Sequence, residues 1–256
     1  MDAMLDFAID LARRAGVLLL STFEGQRDVR LKSPFELVTD ADHASEALVV
    51  SAIRRQYPDH AIVAEESGGV AAEAGYTWLL DPLDGTNNYA HGLPVFSVSL
   101  ALLRDGAPLL GAIYDPTRDE LFAAERGKGA RCNGRRIRVS ENATLAASLL
   151  ATGFPYDYAT NPDNNAREFT TLAGRVQGVR RPGSAALDLA YVAMGRFDAF
   201  WELRLQPWDS AAGALLVSEA GGRVTDWRGG GWNPWSDRLL ASNGRIHDEM
   251  VQELQF

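Results

Sequence analysis

The chain has 256 residues, of which 46% are hydrophobic and 23% charged, a composition typical of a soluble globular enzyme with one large domain or two small ones. Its formal net charge of -9 and the lack of any run of lysine and arginine argue against a nucleic-acid surface, because phosphate backbones are held by clustered cations. One cysteine, Cys132, excludes an internal disulfide and a cysteine metal cluster, and it suits a reducing compartment. We therefore expect a cytoplasmic protein.

The first part of the chain predicts two helices and then a strand. Apolar residues recur at helical spacing over 2–22 and 42–57, and "HAIVAEE" predicts a strand. The first helix carries Asp2, Asp6 and Asp10, so it lacks the basic start and unbroken apolar run of a signal peptide. No segment approaches ~18 uncharged apolar residues, so we expect no membrane span.

The rest of the chain predicts a sheet and then alternating elements. Residues 95–125 predict antiparallel strands joined at Arg-Asp-Gly and Asp-Pro turns. From about residue 145 the pattern changes to a strand "SLLATGF", a helix near 165–176, a helix "SAALDLAYVAMG", a strand "FDAFWEL" and a helix "WDSAAGALLVSEAGG". We expect an α+β protein with halves 1–145 and 146–256 that form one compact catalytic unit.

Two aspartates directly follow an apolar strand in "TWLLDPLDGTNNYAHG". Pro82 pushes Asp81 into an extended conformation and the chain must then turn, so the carboxylates of Asp81 and Asp84 can point to one place with the Leu83 carbonyl between them. Hard oxygen ligands of this kind bind Mg²⁺ or Mn²⁺. For the isolated motif, a simple Asx turn explains the pattern equally well.

The residues after these aspartates favour the metal interpretation. A short helix opened by Gly85 and Thr86 is predicted there, and main-chain N–H groups at such a helix start can hold a phosphate. A metal beside a phosphate-binding turn is the arrangement of a phosphoryl-transfer site.

Other acids stand where predicted strands end or helices begin. Glu65 and Glu66 end the strand "AIVAEE", Asp209 opens a late helix, and Asp40 and Asp42 lie in "VTDAD". Taken alone, Asp42 and Asp209 are equally explained as helix caps, and Glu65 as a solvated loop residue. No Gly-x-Ser-x-Gly elbow is present, and the histidines have no paired spacing, so zinc and serine-nucleophile chemistry are disfavoured. The histidines are His43, His60, His91 and His247.

Three of these stretches together resemble the inositol monophosphatase family of Mg²⁺-dependent, lithium-sensitive phosphatases: "WLLDPLDGTNNYAHG", "VAEES" and "PWDSAAGALLVSEAGG". The stretches "LKSPFELVTDAD" and "RRPGSAALDLAYVAMGRFDAFWEL" fall in the same order and spacing, so the resemblance spans nearly the whole chain. It implies a layered α/β/α/β/α sandwich of the sugar-phosphatase type and a homodimer. The continuation "GTNNYAHGLP" resembles the inositol monophosphatase branch of the superfamily in particular.

The resemblance also implies a metal site, whose ligands are Glu65, Asp81, the Leu83 carbonyl, Asp84 and Asp209. Asp81 would bridge two ions, and a third ion would lie near Glu65, with Asp42 beyond it and Lys32 ordering its waters. The implied catalytic residues are Glu65, Thr86 and Asp42. Thr86, hydrogen-bonded to Asp42, and Glu65 would orient and deprotonate a water that attacks phosphorus without a covalent phosphoenzyme.

Further positions are implied to contact the substrate. They are Gly85, Thr86, Gly183, Ser184, Ala185, Glu202 and Asp209. The first two would hold phosphate through main-chain N–H groups, and the others would face the substrate's hydroxyls. Ser184 stands where several relatives have threonine, and Glu202 remains open to interpretation as a solvated acid at a strand end.

The expected function is hydrolysis of inositol 1-phosphate or a related polyol phosphate with Mg²⁺, or with Mn²⁺ as the alternative cofactor, inhibited by Li⁺ and Ca²⁺. Two alternatives stay open. One is another phosphatase of the superfamily, acting on fructose 1,6-bisphosphate, 3'-phosphoadenosine 5'-phosphate or histidinol phosphate. The other is a non-enzymatic binding protein, since some bacterial members of this family act in RNA-related complexes. Beyond a small phosphorylated polyol and a second copy of the chain, neither a membrane nor a nucleic acid is expected as a partner.

Overall fold

The computed structural model describes residues 3–23, 25, 29–33 and 36–255, with the main chain alone at residues 32 and 33. Within them the α-helices are α1 (Ala3–Phe23), α2 (Asp40–Gln56), α3 (Thr86–Ala90), α4 (Ala166–Ala173), α5 (Ala185–Ala193), α6 (Pro207–Glu219) and α7 (His247–Leu254). None of these helices is long and apolar enough to cross a membrane.

The strands form a pair and two larger sheets. The pair is β1 (Val29–Ser33) with β2 (Glu36–Thr39), which run antiparallel. A seven-stranded sheet contains, in spatial order, β3 (Ala61–Ala64), β4 (Tyr76–Asp84), β5 (Ser97–Arg104), β6 (Ala107–Asp115), β7 (Glu120–Glu125), β8 (Gly129–Cys132) and β9 (Arg135–Arg136). A five-stranded sheet contains, in spatial order, β11 (Gly178–Arg180), β10 (Leu149–Thr152), β12 (Ala199–Leu203), β14 (Arg238–Ser242) and β13 (Arg223–Thr225).

In the seven-stranded sheet only β3 and β4 are parallel, and the predicted antiparallel strands of 95–125 are confirmed as β5, β6 and β7. In the five-stranded sheet β10 runs parallel to both β11 and β12, while β14 is antiparallel to its neighbours. Parallel neighbours end at the same edge of a sheet, so the ends of β3 and β4, and those of β10 and β12, bring together side chains that are distant in sequence.

The two large sheets and the helices stack in five layers. Helices α1 and α2 cover one face of the seven-stranded sheet, α5 and α6 lie between the two sheets, and α4 and α7 cover the outer face of the five-stranded sheet. Strand β4 is buried on both faces, with Trp78 and Leu80 on the α1–α2 side and Leu79 on the α5–α6 side. The layered α/β/α/β/α sandwich that the resemblance implied is therefore confirmed.

Small residues allow the central helices to approach the sheet closely. A β-carbon built on Gly111 of β6 would lie 2.8 Å from the α-carbon of Ala212 in α6. A β-carbon on Gly213 would lie 2.4 Å from the β-carbon of Leu189 in α5. Because no larger residue fits at either contact, the small residues of "DSAAGALL" fix α6, and with it Asp209 at its start, against both neighbours.

Most helix bounds agree with the sequence prediction, but α7 was not predicted, and neither Asp42 nor Asp209 is the capping residue of its helix. Helix α2 is capped by Thr39 and not by Asp42. Thr39 and Asp42 form a capping box, in which the Thr39 N–H donates to the Asp42 carboxylate across 2.8 Å. The division into 1–145 and 146–256 stays a prediction.

Candidate active site

A β-bulge in β4 brings the first two acids of the site together. Asp81 pairs with Ser99 and Asp84 pairs with Ser97, so three steps along β4 match two steps along β5. Pro82, which has no N–H to donate, lies in the bulge, and its carbonyl accepts a hydrogen bond of 2.8 Å from the Ser45 hydroxyl of α2. The Asp81 carboxylate in turn accepts the Leu83 N–H across 2.9 Å. The bulge therefore fixes both acids and the Leu83 carbonyl at one strand end.

Gly85 turns the chain from this bulge into helix α3. Its φ is 94°, and a β-carbon there would lie 2.9 Å from the Val95 carbonyl and 3.3 Å from the Gly183 carbonyl. Both the conformation and the space require glycine. The predicted short helix that opens at Gly85 and Thr86 is confirmed.

Thr86 at the start of α3 joins the bulge to helix α2. Its hydroxyl lies 3.1 Å from the Asp42 carboxylate and 2.9 Å from the Leu83 carbonyl oxygen. Asp42 is fully buried and also accepts the hydroxyl of Thr39 at 2.6 Å. The hydrogen bond from Thr86 to Asp42 that the resemblance implied is thus present, and Asp42 is held rigidly as its acceptor.

Helix α5, from the other half of the sequence, contacts Asp84. The Ala185 and Ala186 N–H groups donate to the two Asp84 oxygens across 3.2 and 2.9 Å, and the hydroxyls of Ser184 and Ser97 also donate to them. These donors stabilise the ionised form and oppose the effect of burial, which raises the pKa of Asp84.

Asp209 stands in the first turn of α6, as predicted, although the capping residue is Gln206. The Gln206 N–H donates to the Asp209 carboxylate across 2.8 Å, and Pro207 occupies the first turn. Burial, followed by the charges of Asp84 and Glu65, raises the pKa of Asp209 well above its usual value. The Asp209 carboxylate therefore accepts a hydrogen bond in the capping box of α6 and also lines the cleft.

Glu65 lies just beyond β3, beside the end of its parallel neighbour β4. Its N–H donates to the Leu80 carbonyl across 3.1 Å, and its carboxyl group is hydrogen-bonded to Asp81. Burial raises the pKa of Asp81 well above its usual value, and the charges of Glu65, Asp84 and Asp209 raise it further.

These carboxyl groups fit a divalent cation chemically. Among the described residues, no three acidic, histidine or cysteine side chains already converge as a finished metal cage. The acids nevertheless suppress one another's ionisation, because the charge of each favours a proton on its neighbours. A cation in place of that proton would remove the repulsion, and the donors are the oxygen ligands that Mg²⁺ prefers.

The acids form one end of a cleft of about 880 Å³. Predicted substrate-facing residues also line it: Gly85, Thr86, Gly183, Ser184, Ala185 and Glu202. Burial raises the pKa of Glu202 to about 8, the charge of Asp84 adds to the shift, and Arg181 opposes it. Glu202 is therefore a partly buried acid of the cleft and not a solvated residue at a strand end.

The structure thus brings together every predicted site residue whose side chain is described. The side chain of Lys32, which was predicted to order waters, lies outside the described residues. Two cleft residues were missed. Asp188, in the first turn of α5, lines the cleft and has a buried Oδ1 that finds no hydrogen-bond partner among the residues that the structure describes. Gly153, which follows β10, lies against the Glu202 carboxyl. A lone acid in an apolar helix was the available signal for Asp188, while nothing local marks Gly153.

Comparisons with known proteins agree with this geometry. Residues 1–256 match the Inositol monophosphatase family. The chain is 45% identical over 252 residues to the inositol-1-monophosphatase of Synechocystis, covering 98% of this chain and 88% of that protein. It is 44% identical over 262 residues to the Nus factor SuhB of Pseudomonas aeruginosa, covering 100% of this chain and 97% of that protein. The solved structure of inositol monophosphatase from Anabaena has a TM-score of 0.91 and 48% identity, covering 99% of this chain and 95% of that chain. The chain therefore belongs to the inositol monophosphatase family, a family of phosphatases.

Proposed function

We propose that the protein is a Mg²⁺-dependent phosphomonoesterase that releases phosphate from inositol 1-phosphate or a related polyol phosphate. The observation that carries this proposal is the group of acids at one end of the cleft, in which the charges of Glu65, Asp84 and Asp209 all raise the pKa of Asp81. So much mutually repelling charge is typical of a site that binds divalent cations. Membership of the inositol monophosphatase family supports the substrate class.

The proposed ligands fall into two overlapping sets. Glu65, Asp81 and the Leu83 carbonyl would hold a first ion, and Asp81, Asp84 and Asp209 a second. A third ion near Glu65 would have Asp42 beyond it. When bound, such ions lower the pKa of a coordinated water and neutralise charge on the phosphoryl oxygens.

The chain's own residues then position the reacting groups. Asp42 accepts the Thr86 hydroxyl at 3.1 Å, which turns the proton of that hydroxyl away and leaves its lone pairs to accept a hydrogen bond from the attacking water. Glu65 accepts the proton of that water, and the main-chain N–H groups of Gly85 and Thr86 bind phosphate oxygens. Water attacks phosphorus opposite the ester oxygen, the bond from phosphorus to that oxygen breaks, and the departing alkoxide takes a proton from solvent, so no covalent phosphoenzyme is formed.

The part of the cleft around Glu202, the polyol end, would bind the polyol. Glu202 can accept hydrogen bonds from two vicinal hydroxyls, with Gly183, Ser184 and Ala185 beside them. An acid partly buried at this end discriminates against esters without hydroxyls, because such esters leave it unpaired. We also propose a homodimer, which size-exclusion chromatography with light scattering would test. The cytoplasmic location stays a prediction.

Phosphate release from inositol 1-phosphate tests the proposal. We expect activity with Mg²⁺ or Mn²⁺, loss of activity in EDTA, recovery when the metal is restored, and inhibition by Li⁺ and Ca²⁺. Activity that survives complete chelation would refute the metal assignment. Fructose 1,6-bisphosphate, 3'-phosphoadenosine 5'-phosphate and histidinol phosphate belong in the same panel, and faster hydrolysis of any of them would move the function to that alternative.

A second candidate is a non-enzymatic role in an RNA-related complex. It is favoured by one observation, the 44% identity to a protein named a Nus factor. The formal net charge of -9 argues against direct contact with nucleic acid, so the partner would be a protein. Asp84→Asn separates the two functions, because it would abolish phosphate release and leave partner binding intact.

A further inference from the structure

A closed set of buried hydrogen bonds lies behind the polyol end of the cleft, with Asn165 at its centre. Asn165 precedes α4 with a φ of 71° and is 1% exposed. Its Nδ2 donates to the Gly153 carbonyl across 2.6 Å and to the Thr152 hydroxyl across 2.8 Å. Its Oδ1 accepts the Trp201 indole N–H across 2.6 Å. Asn165 therefore joins the end of β10 to the middle of β12.

The partners fix the orientation of the amide. An indole nitrogen can only donate, so the Asn165 atom that faces Trp201 is the oxygen. The other atom faces a carbonyl, so it is the NH₂ group, and both its hydrogens have acceptors. Because every partner is buried, a side chain that offers the wrong donor or acceptor leaves a polar atom unpaired.

The same contacts surround Glu202. The Thr152 hydroxyl donates across 2.6 Å to the Trp201 carbonyl, which belongs to the peptide bond between Trp201 and Glu202. Just after the neighbouring strand β10, a β-carbon on Gly153 would lie 2.1 Å from a Glu202 carboxyl oxygen. The carboxyl of Glu202 thus rests on Gly153. Asn165 hydrogen-bonds to Gly153, on which that carboxyl rests, and to Trp201, which precedes Glu202 in the chain.

We propose that Asn165 is a positioning residue for Glu202 and so sets the selectivity of the cleft for polyol phosphates, although it does not touch the substrate. This inference rests on the proposed function, in which Glu202 binds the polyol. The acids proposed to bind metal have their own supports, which are the β4 bulge, helix α2 and the starts of α5 and α6. A change at Asn165 therefore moves the polyol end of the cleft and leaves these acids in place.

The test is Asn165→Asp, which keeps the size of the side chain and tolerates a positive φ but presents an acceptor to Gly153 and Thr152. We expect KM for inositol 1-phosphate to rise by about fivefold or more, with kcat within about threefold. KM for p-nitrophenyl phosphate, which has no polyol, and the Mg²⁺ concentration for half-maximal activity should both stay within about twofold. Thr152→Val, which removes the hydroxyl at constant volume, provides a second variant with the same expectation.

Asn243→Asp is the matched control. Asn243 is a buried asparagine just after β14, and its amide donates to the Ser140 hydroxyl and the Asn142 carbonyl across 2.9 and 2.8 Å. It does not line the cleft. The control should lose thermal stability as Asn165→Asp does, with the ratio of the two KM values unchanged.

Glu202→Gln, measured in parallel, separates the possible failures. If it raises KM for inositol 1-phosphate and neither Asn165→Asp nor Thr152→Val does, only the positioning role is overturned. An equal loss for both esters in the Asn165 and Thr152 variants, matched by Asn243→Asp, would reduce Asn165 to a structural role and also overturn the proposal. If Glu202→Gln itself has no selective effect, the proposed polyol contact is wrong and this inference falls with it.

Discussion

Two buried acidic regions of the molecule are built in opposite ways. In the turn after β6, one oxygen of Asp115 accepts the Thr117 N–H, the Thr117 hydroxyl and the Arg118 N–H across 2.9, 2.7 and 3.2 Å. Its other oxygen accepts the Arg118 guanidinium across 3.0 Å. In the cleft, Asp81 accepts the Leu83 N–H and otherwise faces the carboxyl groups of Glu65, Asp84 and Asp209.

The difference shows what each region is for. The chain supplies Asp115 with the donors and the cation that a buried carboxylate needs, so this acid is complete without a ligand. The cleft acids face one another, and burial together with their mutual repulsion raises the pKa values of Asp81 and Asp209, so a cation from outside the chain would stabilise their ionised forms. The following experiments test this contrast, beginning with the largest expected effect.

The cleft acids should be indispensable for turnover. Asp84→Asn and Asp209→Asn keep the size of the side chain but remove a charge from the proposed second ion, so each should lower kcat by roughly 100-fold or more. Steady-state release of phosphate from inositol 1-phosphate measures this. Asp105→Asn, in the turn between β5 and β6, should leave kcat within about twofold. Equal losses at Asp105 and Asp84 would mean that any lost negative charge slows the enzyme.

Added metal should stabilise the folded protein. At a Mg²⁺ concentration of 100 times the Kd, binding to the folded state alone adds about 2.7 kcal/mol to the free energy of unfolding. Thermal unfolding in Mg²⁺ and in EDTA would report it as a higher Tm with metal. In Asp209→Asn the increase should shrink, and the Tm in EDTA should not fall, because one of the repelling charges is gone. A Tm that does not respond to Mg²⁺ would contradict the role given to the acids.

A buried histidine extends the contrast to a group whose hydrogen bonds are all made by its neutral form. His247 lies between the hydroxyls of Thr225 and Ser242 at 2.9 and 2.8 Å, and burial, followed by the charge of Arg223, lowers its pKa to about 4. Below its usual pKa of 6.5 the unfolded chain binds a proton that the folded protein does not. The stabilisation is therefore complete above pH 6.5 and is lost as the pH falls toward 4.

Between pH 7 and pH 5 this single group should cost about 2 kcal/mol of stability. Urea unfolding of the wild type and of His247→Gln, both in EDTA, isolates the effect, because the cleft acids contribute equally to the two proteins. The difference in unfolding free energy between them should narrow as the pH falls. A constant difference would show that His247 does not resist protonation.

The smallest effect is expected at Asp115, the acid whose donors and cation are supplied by the chain. Asp115→Asn replaces an acceptor of five hydrogen bonds with a side chain that keeps only one acceptor atom, and it should lower the free energy of unfolding by about 1–2 kcal/mol. Urea unfolding measures the loss. Neither kcat nor the increase in Tm with Mg²⁺ should change. A loss of metal response in this variant would mean that the two regions are coupled.

The contrast also explains which features the sequence could predict. The acids of the site follow apolar strands or begin helices, so their positions at the ends of these elements can be predicted from the neighbouring residues alone. The proline and glycine of "DPLDG" likewise predict a turn. The resemblance then supplied their roles. The bulge was not predictable, because it depends on how β4 pairs with β5. The cap of α2 was misassigned because "VTDAD" offers three residues that can cap, and tertiary contacts of Asp42 decide between them.

Contacts between distant elements were beyond the sequence pattern. Asn165 meets Trp201 across 36 residues, and neither residue carries a local signal of that contact. The short strands β1, β2, β8, β9, β11, β13 and β14 also escaped prediction, since segments of two to five residues show too little alternation to stand out. Long periodic segments such as α1 and α6 depend less on their neighbours, and their limits were predicted within a few residues.

The bulge in β4 has a consequence for how this protein can vary. It inserts a main-chain oxygen, that of Leu83, between two acids, and a main-chain oxygen is present whatever side chain the residue carries. The Leu83 side chain is fully buried among apolar neighbours, so its replacements would be filtered for size and hydrophobicity alone. A survey of single substitutions would therefore record position 83 as a packing position. Such a survey would therefore miss one ligand of the proposed metal site. Residue 83 could be replaced by another apolar residue of similar size, and the main-chain oxygen that it contributes would stay the same.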